Sequence, residues 1–189
     1  MNSFDKFVSM IKRRNFVVLD TETTGLRYPA EIIELAIIDP DRKVLLNTRV
    51  RPVREVPPDA TRIHGIKTAD LAACPTWDKV REDMIGIITG KDVVIYNASY
   101  DFGMFHNSDR VCELHPPVFY DDLAEFHCAM LWYAEVYGMW DDYRQSYRWQ
   151  KLTDACMQLA IPVENAHGAL GDCLMTIKVI DSVIGDLDL

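Results

Sequence analysis

Short apolar runs rich in β-branched and aromatic residues divide the first half of the chain into predicted strands. The first covers residues 16–20, and two more cover 31–39 and 44–50. The segment 40–43 (Pro-Asp-Arg-Lys) is typical of a hairpin turn, so the strands on either side of it should pair antiparallel. A fourth strand follows at 92–97. The pattern therefore predicts a three-stranded meander and then a further strand.

Apolar residues at helical spacing predict helices in much of the remaining chain. One helix opens after Pro75, ends near Thr89 and is stopped by Gly90. Further helices are predicted near 101–107, 121–138, 150–160 and 167–185. Three antiparallel strands followed by alternating strands and helices predict one α/β domain over residues 1–189, with a mixed sheet flanked by helices. No repeat, linker or low-complexity segment divides it.

Length and composition limit the class of protein. The chain has 189 residues, 49% hydrophobic and 26% charged, which suits a single buried core and excludes a disordered tail. No apolar run approaches the roughly 20 residues of a membrane-spanning helix. The early apolar stretch 7–11 precedes its basic residues, the reverse of a signal peptide. The five cysteines contain no C-x-x-C pair, which favours reduced thiols. We expect a soluble, cytoplasmic protein with no membrane contact.

The charge is unevenly distributed along the chain. The net charge of -9 argues against a uniformly basic nucleic-acid surface. Residues 42–67 nevertheless contain seven basic and two acidic side chains, a local balance of +5. Residues 101–142 contain nine acidic side chains and one basic, a balance of -8. Both blocks are compatible with ordinary solvated surface, and the basic one is also suited to guiding a nucleic-acid strand.

Two acidic residues mark the end of the first predicted strand. Asp20 and Glu22 are separated by one residue, so their carboxylates lie on the same face of a strand. Carboxylates so close repel each other unless a cation lies between them. Their oxygens are hard ligands that suit Mg²⁺ or Mn²⁺, whereas no Cys/His cluster indicates structural zinc. Alone, the D-x-E pair is equally compatible with a surface or capping feature.

Three other residues extend this set of candidates. Asp101 follows the fourth predicted strand, where the chain turns into a helix, and Asp172 precedes the apolar segment 173–184. Each is compatible with a helix-terminal acid, and His167 with a cap. Positions 167 and 172 would lie about 140° apart on an ideal helix. We therefore expect His167 on a loop or in the first helical turn.

Taken together, these residues occur in three motifs that resemble a known family. The motifs are LDTETTG (19–25), NASYDFGMF (97–105) and HGALGD (167–172), the last with H-x4-D spacing. In residues, order and separation they are similar to the DnaQ-like 3′–5′ exonucleases of the DEDDh branch. The sister branch uses Y-x3-D, but position 168 is Gly168. The similarity includes segments between the motifs and spans about residues 16–184.

The resemblance implies a ribonuclease H-like fold and a catalytic set. Its members are Asp20, Glu22, Asp101, His167 and Asp172. The four carboxylates would hold two divalent ions, Mg²⁺ or Mn²⁺, with Asp20 as the bridging ligand. Such a pair activates water and stabilises charge at the phosphate. His167 is suited to accepting the proton of the attacking water.

The resemblance also indicates residues that contact substrate. Thr23, Thr24 and Gly25 form the turn beside the metals, where backbone N–H groups meet the terminal nucleotide and glycine permits close approach. Leu26 resembles the family's apolar wedge against the terminal base. Three further pocket candidates are His64, Asn97 and Ala98. Each of these three is equally compatible with local packing or turn chemistry.

The sequence departs from the family pattern in two places. Tyr96 and Tyr100 stand where many members have His and Phe, which affects substrate detail and leaves the inferred metal ligands unchanged. The segment 132–149 is dense in aromatic residues and longer than a minimal domain requires. Exposed aromatics stack on unpaired bases, but such residues more often belong to a core or an oligomer contact.

The predicted function is hydrolysis of phosphodiester bonds at a 3′ end, releasing nucleoside 5′-monophosphates. DNA is the leading substrate, single-stranded or frayed at its end. RNA trimming or oligoribonucleotide degradation is the alternative, because a two-metal site says little about the 2′ position. A polymerase-associated proofreading subunit, a homodimer and a non-catalytic nucleic-acid-binding module are the other possibilities. A guiding role for the basic block predicts that neutralising Arg49, Arg51 and Arg54 flattens the salt dependence of binding.

Overall fold

A five-stranded mixed sheet forms the centre of the computed structural model, which describes residues 3–186. Its strand order is β3-β2-β1-β4-β5. The strands are β1 (Phe16–Thr23), β2 (Ile32–Ile38), β3 (Val44–Arg49), β4 (Asp92–Ile95) and β5 (Glu125–Cys128). β1, β2 and β3 pair antiparallel, whereas β4 pairs parallel with both β1 and β5. The predicted meander and mixed sheet are confirmed.

Helices cover both faces of the sheet. They are α1 (Ser3–Arg13), α2 (Pro58–His64), α3 (Trp77–Ile88), α4 (Ala98–Val111), α5 (Ala129–Tyr137), α6 (Leu152–Gln158) and α7 (Ala169–Asp186). Alternating side chains of β1 separate two cores, because successive residues of a strand point to opposite faces. Val18 packs with α1, α5, α6 and α7, whereas Leu19 packs with α3 and α4.

One predicted helix is wrong in its first half. The sequence pattern predicts helix over 121–138, but residues 125–128 form the edge strand β5 and only Ala129–Tyr137 is helical. Parallel pairing with β4 joins Val93 to Phe126 and Ile95 to Cys128, and this pairing satisfies backbone groups that helix would otherwise satisfy. The remaining predicted helices are present, with ends that differ by a few residues.

Two short helices lie outside the sequence predictions. In α1, Phe7 stacks on Trp132 with ring centroids 4.5 Å apart, so tertiary packing stabilises this helix. α2 ends at His64 because Gly65 adopts a left-handed conformation with φ 76°. Among residues 3–186, no helix combines the length and apolar character needed to cross a bilayer.

The aromatic-rich segment after α5 forms a small hairpin. Its strands are β6 (Trp140–Asp141) and β7 (Ser146–Tyr147). The Asp141 carboxylate accepts hydrogen bonds from the backbone of Tyr143 and Arg144 and from the Arg148 side chain, which fixes the turn. The Tyr143 ring is 96% exposed at the tip. The hairpin therefore presents an aromatic side chain to solvent.

Candidate active site

Asp20 and Glu22 lie on the face of β1 that α7 covers. Their backbones pair with Ala36 and Glu34 of β2. α7 packs closely on these two strands, and the Cys173 thiol donates to the Val18 and Ala36 carbonyl oxygens. The helix therefore places its first turn beside the two carboxylates.

Asp172 completes a compact group of three acids. Carboxylate oxygens of Asp20, Glu22 and Asp172 lie within 4.8 Å of one another. Asp172 Oδ1 also accepts a hydrogen bond from the His167 backbone N–H at 3.2 Å. His167 precedes α7 on an exposed loop with φ 64°, so its predicted loop position is confirmed.

Asp101 joins the group from the first turn of α4. Its side chain is buried, and its Oδ1 accepts a hydrogen bond from Thr21 Oγ1 at 2.6 Å. Among the charges around Asp20, that of Asp101 contributes most to raising the Asp20 pKa. The structure thus brings all four predicted carboxylates into one electrostatic group.

Burial and mutual repulsion favour the protonated forms of these acids. Burial is the main cause that raises the pKa of Asp20 well above its usual value, followed by the charges of Asp101 and Asp172. Burial and the charge of Asp172 raise the pKa of Glu22 to about 8. Burial raises the pKa of Asp101 to about 7, opposed by its bond from Thr21. Such a set gains most from a cation that neutralises its ionised form.

The donor set fits divalent cations. Asp20, Glu22 and Asp172 offer hard oxygen ligands in one cluster, and Asp101 offers another beside it. Mg²⁺ and Mn²⁺ prefer such oxygens, and a cation here would offset the repulsion that raises the pKa values. These four residues are the ones that would hold metal.

The predicted substrate-contacting turn lies directly after Glu22. Thr24 exchanges hydrogen bonds with Glu31, both through its backbone N–H and through its Oγ1. Thr23 Oγ1 donates to the Gly25 carbonyl oxygen at 2.9 Å. Leu26 is 78% exposed, as a side chain that meets a terminal base must be. The turn is thus held by internal bonds while its apolar tip is free.

The other three predicted contacts differ in their surroundings. Burial lowers the pKa of His64, while the Thr23 backbone and the Glu34 charge act in the opposite direction. His64 therefore lies near the turn and the acids. Asn97 is exposed immediately before α4. Ala98 is buried and lines a groove of about 910 Å³ that contains none of the five predicted catalytic residues.

Sequence reasoning missed Thr21 and Glu34 as residues that shape the site, and it noted Tyr100 only as a departure from the family pattern. Thr21 binds Asp101, the Tyr100 hydroxyl donates to the Gly25 carbonyl oxygen, and Glu34 accepts a hydrogen bond from the Ala169 backbone. A signal was present for Glu34, because it is a lone charge within the apolar run IIELAII. No sequence signal indicated Thr21. It lies between Asp20 and Glu22, and these two acids account for the motif by themselves.

Fold and acid cluster together define a metal-dependent nuclease of the ribonuclease H-like class. The chain belongs to the RNase_T exonuclease family, whose sequence model matches residues 17–180. It is 38% identical over 169 residues to an uncharacterised exonuclease, CP81, of Escherichia phage 186, covering 88% of this chain and 87% of that protein.

Two other proteins extend the comparison. The DNA polymerase III subunit epsilon of Treponema pallidum (strain Nichols) is 28% identical over 174 residues, covering 89% of this chain and 76% of that protein. Exonuclease X, solved in complex with 5′-overhanging duplex DNA, shares the fold with a TM-score of 0.63 and 24% identity, over 91% of this chain and 92% of that one. The predicted DnaQ-like family, fold class and enzyme class are confirmed.

Proposed function

We propose that this enzyme removes nucleoside 5′-monophosphates from the 3′ end of DNA, with preference for single-stranded or frayed ends. The convergence of Asp20, Glu22 and Asp172 within 4.8 Å, with Asp101 beside them, carries this proposal. DNA is favoured over RNA because exonuclease X, which has the same fold, was solved with DNA and the epsilon relative is named as a DNA polymerase subunit.

Each side chain has a role that follows from its position. Asp20, Glu22, Asp101 and Asp172 would hold two divalent ions, Mg²⁺ or Mn²⁺. When bound, such ions activate water and stabilise negative charge on the phosphate and the leaving oxygen. His167, exposed on its loop, accepts the proton of the attacking water. Thr21 keeps the Asp101 carboxylate oriented through its 2.6 Å hydrogen bond.

Substrate is held by the turn 23–26, by His64 near that turn and by the exposed Asn97, whereas the buried Ala98 supports the start of α4. The Thr24 backbone N–H is bonded to the Glu31 carbonyl oxygen, so N–H groups at the Gly25 end of the turn contact the terminal nucleotide, and the exposed Leu26 side chain packs on its base. These contacts orient the scissile phosphate toward the acids. Orientation of this kind accounts for a large part of the rate gain in phosphoryl transfer.

The test is a time course on matched 5′-labelled single-stranded DNA and RNA with Mn²⁺, Mg²⁺ or EDTA. The wild type should shorten DNA stepwise from the 3′ end, faster than RNA, and only with metal. Asp101→Asn keeps the shape of the side chain and should lower the rate at least 100-fold. Faster cleavage of RNA would identify the alternative substrate. No shortening by folded protein would contradict the function.

A polymerase-associated proofreading subunit is the second candidate, favoured by the epsilon relative. The exposed hairpin of Trp140 and Tyr143 is the proposed contact. Copurification of a polymerase, lost when both residues become Ala, would support it; a monodisperse protein without partner would contradict it. A homodimer and a cytoplasmic location stay predictions from the sequence.

A further inference from the structure

Glu34 lies in a row of charged residues that crosses three strands. In register, it is opposite Glu22 on β1 and opposite Arg49 on β3. Like charges directly opposite each other destabilise a sheet, and the Glu34 side chain is only 15% exposed. The Arg49 Nε, 3.4 Å from Glu34 Oε1, offsets part of that repulsion. Because the Glu34 carboxylate destabilises the sheet at this position, its role must be something other than sheet stability.

The second oxygen of Glu34 holds the start of α7. Glu34 Oε2 accepts a hydrogen bond from the Ala169 backbone N–H at 2.9 Å. Ala169 is the first residue of the helix, where N–H groups have no partner within the helix and favour a negative charge. A Cβ built on Gly168 would lie 3.9 Å from the same oxygen. The carboxylate therefore lies close to the backbone that follows His167.

The carboxylates of Asp172 and Glu34 both bind the backbone of the His167 loop, but only Asp172 is also a proposed metal ligand. Asp172 binds the His167 N–H at 3.2 Å, but Asp172 is also a proposed metal ligand. Glu34 does not belong to the ligand cluster. It ties the loop to the sheet without being a proposed ligand, although its charge contributes to raising the pKa of Asp20 and of Glu22.

We propose that Glu34 is a positioning residue that fixes His167 over the catalytic carboxylates by anchoring the N-terminus of α7. The inference rests on the proposed function, in which His167 accepts the proton of the attacking water. Loss of the anchor lets the loop, already in a left-handed conformation at His167, move away from the reacting groups. In this role Glu34 acts through His167 and is not itself a metal ligand.

The test measures kcat, KM and Mn²⁺ affinity for Glu34→Ala, Glu34→Gln, His167→Ala and the double variant Glu34→Ala/His167→Ala. Glu34→Ala should lower kcat about 10- to 100-fold, with KM and Mn²⁺ affinity changed less than about threefold. Glu34→Gln keeps an acceptor for Ala169 and should restore most of kcat. The double variant should be no slower than His167→Ala, since residues that act as a unit are not additive.

Asp39→Ala is the matched control, because Asp39 accepts two backbone N–H bonds at 2.9 Å just beyond the other end of β2. It should change stability and leave kcat within about twofold. A separate readout is amide exchange, which should accelerate at Ala169 in Glu34→Ala while the middle of α7 stays protected.

The inference would be overturned by multiplying effects in the double variant, by Mn²⁺ affinity that falls together with kcat, or by a Glu34→Gln variant as slow as Glu34→Ala. Unchanged kcat in Glu34→Ala beside a strongly impaired His167→Ala would also overturn it and leave the proposed function intact. Normal activity in His167→Ala would instead contradict the proposed function of the site.

Discussion

The Tyr100 hydroxyl donates a 2.9 Å hydrogen bond to the Gly25 carbonyl oxygen, which joins the first turn of α4 to the turn that follows β1. Thr23 Oγ1 lies within hydrogen-bond distance of both groups. The helix that carries Asp101 therefore also holds the segment proposed to meet the terminal nucleotide.

Tyr100→Phe should raise KM about 3- to 10-fold, because one hydrogen bond of about 1 kcal/mol no longer fixes the turn. The kcat should change less than twofold, since the acids keep their positions. Steady-state kinetics on a 5′-labelled DNA oligomer check this split. Tyr133→Phe is the control, because it loses a comparable bond to Gln158 on α6 and should leave KM unchanged. An unchanged KM in Tyr100→Phe would show that the hydrogen bonds of Thr23 and Thr24 are enough to fix the turn.

Without metal, stability should fall as pH rises from about 4.5 to about 8. Burial and neighbouring acids raise the pKa of Glu22 from 4.5 to about 8, so the folded protein binds more protons than the unfolded chain in this window. The stabilising effect of Mg²⁺ on the melting temperature should accordingly be larger at pH 8 than at pH 5. Thermal melts in EDTA and in Mg²⁺ measure both trends.

Glu22→Gln should remove part of the pH-dependent fall and raise the EDTA melting temperature at pH 8 by roughly 2–4 °C. Glu82→Gln, which changes an exposed glutamate on α3, is the matched control and should follow the wild type. A wild-type melting temperature that is flat or rises over this range in EDTA would contradict the electrostatics described for the site.

Gly171→Ala should impair catalysis through the loop that carries His167. A Cβ at position 171 would lie 2.3 Å from the Asn165 carbonyl oxygen, so the loop must move. The expected effects are a kcat lower by about 10- to 100-fold and a loss of about 1–3 kcal/mol in stability. Kinetics and denaturant unfolding measure both quantities.

Gly86→Ala serves as the control for this substitution, because its Cβ would meet open space within α3. It should stabilise the protein by about 1 kcal/mol and leave kcat unchanged. Wild-type kcat in folded Gly171→Ala would mean that the position of the loop does not limit the reaction.

Basic residues beside the 23–25 turn should contribute to DNA binding. Backbone N–H groups of Val53 and Arg54 bind the Glu31 carboxylate, and Glu31 is also paired with Thr24, so the exposed Arg51 and Arg54 lie on a loop tied to the turn. Arg49 is engaged by Glu34 and is left out of this set.

Replacement of Arg51 and Arg54 by Ala should reduce the slope of log affinity against log salt by about 1–2. Binding titrations in EDTA at several salt concentrations give the slope. Lys6→Ala/Lys12→Ala removes two exposed charges from α1 and should have a smaller effect. Equal slopes for both double variants would exclude a specific guiding role.

The structure of segments with a strong local sequence pattern could be predicted. The structure of segments that depend on packing or pairing with another element could not. Strand β2 is apolar throughout apart from Glu34, so its pattern was clear from the sequence. The four acids were identified from the motifs. They lie close together in the fold because the topology brings β1, α4 and α7 to one place. β5 was missed because it has only four residues and directly precedes α5. These residues form a strand because they pair with β4. α1 was missed because its stability comes from packing, such as Phe7 on Trp132.

Asp20 and Asp172 come from β1 and α7, which are far apart in the sequence, so the acid group cannot form until both elements have been synthesised. During synthesis, β1 and β2 emerge from the ribosome long before α7, the helix that covers both of them. The distant pairing makes the site a late event in folding. A nascent chain that lacks α7 carries Asp20, Glu22 and Asp101 but not Asp172 or the helix that covers them, so we expect it not to cleave the nucleic acids that surround it while it is being made.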